Sequence, residues 1–253
     1  MPRVLILLFC YCVFFQCSKS EHSNKLGIHS HNDYKQDIPF WTAYKNGLNS
    51  IEIDLFLKND SLYVTHSESE IIAERTIEQL YLNPLSKVAS SQFGIKKKLQ
   101  ILIDVKSESI KTLNRVIKSL NNYPEIIDED NISIVISGNR PISKKYVNYP
   151  DFIYFDYQNL DPIENEKIWN KIALISLNFK KYSSWNGERN ISLEDFKKLD
   201  SLVRLAHHYK KPFRFWGTPD NRIAWEVFKE LGVDYINTDK PIQVSNYFNE
   251  STN

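Results

Sequence analysis

Residues 26–70 read LGIHSHNDYKQDIPFWTAYKNGLNSIEIDLFLKNDSLYVTHSESE. Two short apolar runs in this stretch carry polar residues at alternate positions, His29 and His31 in the first and Glu52 and Asp54 in the second. Side chains of a strand alternate between faces, so each pair projects to one side of a sheet. A four-residue turn, Lys58-Asn59-Asp60-Ser61, leads into residues 62–65 and a further candidate, His66. Residues 99–106 (LQILIDVK) repeat the design, with Asp104 and Lys106 on one face of an apolar strand. Carboxylates that end several different strands point to a hard cation gathered at one mouth of a parallel barrel.

Working outward, eight apolar runs alternate with helical patterns: residues 26–33, 50–57, 99–105, 132–137, 152–157, 172–178, 213–218 and 233–237. Between them, Pro39 opens a helix, residues 71–89 hold a helical pattern broken at Pro84, and residues 109–120, 162–169, 193–210 and 222–231 supply the rest. Alternating βα units predict an α/β chain with a parallel sheet, here a single-domain (β/α)8 TIM barrel over residues 26–246 with a tail at 247–253. The rival is an open doubly wound sheet, but no glycine-rich phosphate fingerprint follows the first strand. With 253 residues, 42% hydrophobic and 25% charged, the composition is that of an ordinary globular chain. A net charge of +1 gives no electrostatic reason to expect a nucleic-acid partner.

The first 17 residues read differently. Arg3 precedes an uncharged apolar run at residues 4–15, too short for a comfortable transmembrane helix and fit for a signal peptide. Cys10, Cys12 and Cys17 all lie in or beside this segment, so the remainder has neither a disulfide framework nor a thiol nucleophile. Cys17, followed by Ser18-Lys19-Ser20-Glu21, resembles the lipidated cysteine of a bacterial lipoprotein, with residues 18–25 as a tether. The expectation is an exported protein, either a membrane-anchored lipoprotein or secreted or periplasmic. Contact with a membrane is expected only through that anchor, and no protein partner is implied.

Glu52, Asp54 and Asp104 sit in otherwise apolar strands, where a carboxylate is costly to bury without a cation or an arginine partner. Their oxygens suit one divalent cation, Mg²⁺ or Ca²⁺, the alternative being a salt-bridged pair at a strand end. Lys106 reaches the same mouth, either as a clamp on a phosphate oxygen or as a counter-ion for the acids. His31 and His66 flank the acids and titrate near neutral pH, which suits a general acid and a general base. His29, one layer deeper than His31, reads as a hydrogen-bonding support. Arg140, Trp216 and Asn237 are candidate pocket-lining residues at later strand exits, and Asp239 could cap the last turn.

The order His31-Asn32, Glu52-x-Asp54, His66, Asp104-x-Lys106 resembles the phospholipase-C-like phosphodiesterase superfamily, which contains the glycerophosphodiester phosphodiesterases and venom sphingomyelinase D. The ending Gly232-Val233-Asp234-Tyr235-Ile236-Asn237-Thr238-Asp239-Lys240-Pro241 looks like the last strand of glycerophosphodiesterases. The motifs at residues 29–34, 51–54, 62–66 and 102–106 are most similar to the "altered inheritance of mitochondria" proteins and their bacterial relatives. The resemblance implies a TIM barrel holding one divalent cation on Glu52, Asp54 and Asp104. It also implies His31 and His66 as the acid–base pair, with Lys106 and Asn32 toward the substrate phosphate. Two departures stand out: Asn32 follows the first histidine where glycerophosphodiesterases usually have arginine, and Ser67 follows the second where they have aspartate. Both concern the substrate rather than the cation or the histidines.

The expected function is a metal-dependent phosphoric diester hydrolase acting on a small phosphodiester or a phospholipid head group. An amidohydrolase-type metal hydrolase would use the His29-x-His31 spacing, but it usually needs histidines on strands five and six, which here offer Asp156 and Asn178. A third reading keeps the barrel as a surface-tethered binding protein without catalysis.

Overall fold

A computed structural model describes residues 26–92 and 94–250. The signal segment, Cys17 and the tether expected in residues 1–25 lie outside the described residues, as does the end of the expected tail at 251–253. The chain runs β1 (Gly27–Ser30), α1 (Trp41–Lys45), β2 (Ser50–Lys58), β3 (Ser61–Val64), α2 (Asn83–Ala89), β4 (Leu99–Val105), α3 (Ser109–Leu120), α4 (Pro124–Ile127), β5 (Ile132–Gly138), β6 (Ile153–Tyr157), α5 (Glu166–Asn170), β7 (Ile172–Asn178), α6 (Leu193–His208), β8 (Phe213–Trp216), α7 (Arg222–Glu230), β9 (Tyr235–Thr238) and α8 (Pro241–Glu250), with short 3₁₀ and π turns between.

All strands except β3 are parallel, and they close in the order β1-β2-β4-β5-β6-β7-β8-β9, with β9 beside β1. This is the barrel expected from the alternating pattern. Its closing seam is uneven. β1 follows β9 from Gly27↔Tyr235 to Ser30↔Thr238, but meets β2 only at His29↔Ser50 and Ser30↔Ile51. Beyond Ile51 the edge of β2 is taken by β3, which folds back antiparallel from Lys58↔Ser61 to Leu55↔Val64. Asn59 and Asp60, both with φ near +50° to +60°, make the two-residue turn between them, a conformation that Asn and Asp tolerate.

Alternation explains why the barrel is apolar outside and polar within. Ile51, Ile53, Leu55, Ile101, Ile103 and Val105 are fully buried in the layer between strands and helices. Their neighbours Glu52, Asp54, Gln100, Ser137, Asp156, Ser176 and Arg214 are buried in the interior. One layer toward the N-terminal ends of the strands, Leu102, Val135 and Leu174 form a separate apolar plug with Tyr154 and Tyr235. The polar mouth is therefore at the C-terminal end of the strands, where sites of this architecture generally lie.

Two features differ from the sequence reading. Pro84 does not break its helix: a single π turn at Glu78–Leu82 runs straight into α2, so the missing Pro84 N–H falls where the hydrogen-bond ladder changes from π to α spacing. The expected tail beyond residue 246 is instead the second half of α8. Pro241 opens this helix, Val244 is buried, and the Tyr247 ring meets Trp225 of α7 at 5.9 Å. The segment after β9 is thus the start of a helix that packs on the barrel.

Candidate active site

Glu52 and Asp54 lie on the inward face of β2, and the register places Asp54 directly beside Asp104 of β4. One oxygen from each of Glu52, Asp54 and Asp104 can be chosen so that all lie within 4.8 Å of one another. Oδ1 of Asp54 and Oδ1 of Asp104 are buried without a hydrogen bond, although Lys106 Nζ stands 3.3 Å from the first. Buried carboxylate oxygens normally find partners, so a divalent cation fits this set as its missing partner. Lys106 Nζ donates to Asp104 Oδ2 at 3.0 Å. Burial opposes its charge, but Asp104 and Asp54 outweigh that and raise its pKa above the ordinary lysine value.

The two histidines stand at the rim of the same mouth, and both are held through Nδ1. His31, the first residue past β1, is tied by its backbone N–H to the Thr238 carbonyl at 3.0 Å. Its Nδ1 is 2.7 Å from Asp239 Oδ1, and its Nε2 lies 3.8 Å from Glu52 Oε1. Burial alone would lower its pKa, but Asp239 and Glu52 more than offset this and raise it. His66 follows β3, whose exit is anchored by Thr65 N–H on the Asp54 carbonyl at 3.1 Å. Its Nδ1 is 2.8 Å from Asp54 Oδ2. A carboxylate on Nδ1 makes that atom the donor and leaves Nε2 of each ring for the substrate.

Around them the HSHNDY segment forms a rigid bend. Asn32 adopts φ +48°, a conformation asparagine tolerates, and turns the chain out of β1. Asp33, fully buried, accepts from Ser30 Oγ, Phe40 N–H and Tyr81 Oη at 2.7–3.0 Å. Tyr34 Oη donates to Asp54 Oδ2 at 2.9 Å; burial and the Asp54 charge push the phenol well above its usual range, so it remains a donor.

His29 supports rather than ligates. Its Nδ1 is 2.7 Å from Ser50 Oγ, which accepts from Gln100 Nε2, and its Nε2 is 2.6 Å from Glu52 Oε2. Burial and the nearby Arg214 push its pKa down to about 4, so the ring is neutral. With both nitrogens engaged it is unavailable to a metal, which removes the basis of the amidohydrolase reading. Arg214 lies against the His29 ring and donates from Nη1 to Glu52 Oε2 at 3.2 Å and to Asn237 Oδ1 at 2.7 Å. Burial works against the Glu52 charge, but the His29 hydrogen bond and Arg214 prevail and hold its carboxyl well below the usual range.

A cavity of about 570 Å³ opens over this floor, lined by His31, Asn32, His66, Lys106, Trp216 and Asn237 among others. Arg140, expected on its wall, is not there. Its Nη1 turns back to the Gly138 carbonyl at 3.1 Å, and its guanidinium faces Tyr146 on the outer side of the barrel. The sequence reading also passed over Arg214, Asp33 and Tyr34, and gave Asp239 only a capping role.

Burial, with Glu52 and Asp54 close by, pushes the Asp104 carboxyl up to about 6 against the pull of Lys106. The folded chain then holds this proton more tightly than the unfolded chain, so raising the pH removes stability. The loss should run at about 1.4 kcal/mol per pH unit until pH 6 is passed. His31, also raised, contributes in the same direction as the pH climbs past its unfolded value. Glu52 and Asp239, held low, are nearly fully ionised in both states above pH 5 and add little slope. His29, held down to about 4, acts in the opposite direction and adds stability as the pH climbs from about 4 to 6.5, offsetting the Asp104 loss there. Thermal melts of the cation-free protein should therefore change little between pH 5 and 6.5 and fall above it as His31 loses its proton, and saturating Mg²⁺ or Ca²⁺ should raise the melting temperature more at pH 7.5 than at pH 5. A melting temperature indifferent to both would contradict the site.

The AIM6-like phosphodiesterase domain matches residues 19–98, and the glycerophosphoryl diester phosphodiesterase family matches residues 212–242. The altered inheritance of mitochondria protein 6 homolog of Arthroderma benhamiae is 30% identical over 271 residues, covering 87% of this chain and 83% of its own. The Saccharomyces cerevisiae protein of the same name is 24% identical over 275 residues, covering 88% and 70%. Among solved structures, a glycerophosphodiester phosphodiesterase from Parabacteroides distasonis superposes with a TM-score of 0.57 at 15% identity, covering 91% of this chain and 99% of its own. A calcium-dependent phosphoinositol-specific phospholipase C from Pseudomonas does so with a TM-score of 0.54 at 10% identity, covering 85% and 89%. These two share the fold with this chain.

Proposed function

The chain belongs to the altered inheritance of mitochondria protein 6 family, within the phospholipase-C-like phosphodiesterase superfamily, and from that footing we propose that it is a metal-dependent phosphoric diester hydrolase. One observation carries the reading. Three clustered carboxylates, two of them with an orphaned oxygen, lie beside two imidazoles, each oriented by its own carboxylate and each with Nε2 turned to the cavity.

Glu52, Asp54 and Asp104 would hold one divalent cation, Mg²⁺ or Ca²⁺, which when bound would neutralise and polarise the phosphoryl group. Lys106 brings a second positive charge to a phosphate oxygen, and Asn32 lines the same cavity. One of His31 and His66 takes the proton of the attacking hydroxyl through Nε2, and the other gives a proton to the departing oxygen. Asp239 and Asp54 keep the two rings in the tautomer this exchange needs. The attacking hydroxyl is either water's or the substrate's own, the second leaving a cyclic phosphate. The substrate is a small phosphodiester or a phospholipid head group. Export, through a signal peptide ending at Cys17 and its lipidation, is proposed from residues 1–17.

The test is a panel of glycerophosphodiesters, phosphoinositol esters and lysophospholipids, each with Mg²⁺, Ca²⁺ or EDTA, with products followed by ³¹P NMR. Asp54→Ala runs as the control. We expect cation-dependent cleavage of at least one member and none by Asp54→Ala. Cleavage that survives EDTA, or no cleavage at all, would overturn the assignment and favour a binding role for the barrel.

A further inference from the structure

Arg214 is 3% exposed inside the barrel, and its guanidinium touches one of the three acids that face the cation. It donates to Glu52 Oε2, so a fixed positive charge stands on one of the three carboxylates that gather at the site. The contact is built rather than incidental. Nη1 is shared with Asn237 Oδ1 at 2.7 Å, His29 packs against it, and β8 and β9 hold both residues on adjacent strands. Asp156 offsets this charge only in part. It lies farther off, at 3.9 Å from Nη2, and already accepts from Ser137 and Ser176 at 2.8 Å each. Lys106, 3.3 Å from Asp54 and 3.0 Å from Asp104, adds a second positive charge on the opposite flank.

Arg214 and Lys106 thus cancel part of the charge of the three acids, so the cluster draws a dication less strongly than three bare carboxylates would. A phosphate monoanion in the mouth supplies what is missing, since it is attracted by Lys106, by Arg214 and by the incoming ion together. We infer that Arg214 keeps the cation site weak until a phosphodiester completes it, so that ion and substrate bind as a pair. Coupling of this kind is reciprocal, each ligand raising the affinity of the other by the same factor. The inference rests on the cation reading above and adds to it a residue that orients one acid while restraining the whole set.

The experiment is Mn²⁺ binding followed by electron paramagnetic resonance of the free ion, with and without dimethyl phosphate as an uncleaved monoanionic diester. Wild-type protein should bind Mn²⁺ weakly, and dimethyl phosphate should tighten it at least tenfold. Arg214→Met, checked as folded by circular dichroism, should bind Mn²⁺ at least tenfold tighter alone and gain less than threefold from the diester. Arg214→Lys, which retains the charge, should follow wild type. Mn²⁺ binding by Arg214→Met that is unchanged or weaker overturns the inference and leaves Arg214 as a support for Glu52. Should Arg214→Met fail to fold, the wild-type measurement still decides: no tightening by dimethyl phosphate sinks the coupling. No Mn²⁺ binding to folded wild type removes the cation reading, and this inference falls with it.

Discussion

Replacing His31 by alanine should lower kcat on any phosphodiester the protein cleaves by about 10²- to 10⁴-fold, the usual contribution of one positioned acid–base group. The ring is one-third exposed at the mouth and packs into no core cluster, so stability should be little changed. Its Nε2 is 3.8 Å from Glu52 Oε1, outside hydrogen-bond range, so Mn²⁺ affinity should hold within about threefold. KM should also move little, because the phosphate is placed by the cation and Lys106. The loss would then be of kcat alone, the pattern of a group that acts in the transition state. Asp239→Asn should give a partial loss, since it keeps the ring in place but no longer enforces an Nδ1–H tautomer. His66→Ala should match His31→Ala, and the double variant should cost little more than either single one. Steady-state kinetics on the four variants decide it, and retention of more than a tenth of wild-type kcat in His31→Ala excludes the ring as a proton carrier.

The second large effect is expected at Gly138, the last residue of β5. Its φ is +65°, and a Cβ there would run into Asp104 Oδ1 and lie 2.6 Å from the Val105 carbonyl oxygen. That carbonyl accepts from Asn139 N–H at 2.8 Å, so it is fixed by the ladder it belongs to. Gly138→Ala must therefore displace an acid of the site, and should also cost about 3 kcal/mol of stability, from a left-handed backbone together with the collision. For a chain of this size that is a fall in Tm of roughly 6–12 °C. Gly232 is the matched control. It has φ +76° with nothing within 4 Å of its Cβ position, so Gly232→Ala pays only the backbone part, about 1 kcal/mol. Melting curves and Mn²⁺ titrations of the pair separate the two contributions. Equal losses in both, with cation binding intact in Gly138→Ala, would show that the glycine is not what shapes the site.

How far the sequence could be read depended on how local the signal was. β4, β7 and α3 have the ranges that apolar alternation and helical spacing predict, because those patterns lie within each segment. The triad of acids was legible for a similar reason: a charged residue in an isoleucine-rich strand declares itself. Arg214 made no such declaration. Between Phe213 and Phe215 an arginine reads as a strand residue reaching for solvent. It turns inward because Phe213 and Phe215 take the outer layer, and it meets partners there in Glu52, 162 residues earlier, and Asn237. Arg140 erred the other way: it follows a strand exit but finds the Gly138 carbonyl and Tyr146. α8 carries little local signal beyond its opening Pro241, a residue at home at a first helical position but also common past the end of an element.

His31 and the carboxylate that orients it are 208 residues apart, and β1 finds its longer pairing with β9, the last strand to be made. While the polypeptide emerges from the ribosome, its opening strand waits without a lasting neighbour. A nascent chain lacking only its closing segment would own both histidines and all three acids, yet hold its first imidazole unaligned. On the proposed mechanism, alignment of that ring thus waits until β9 has been made.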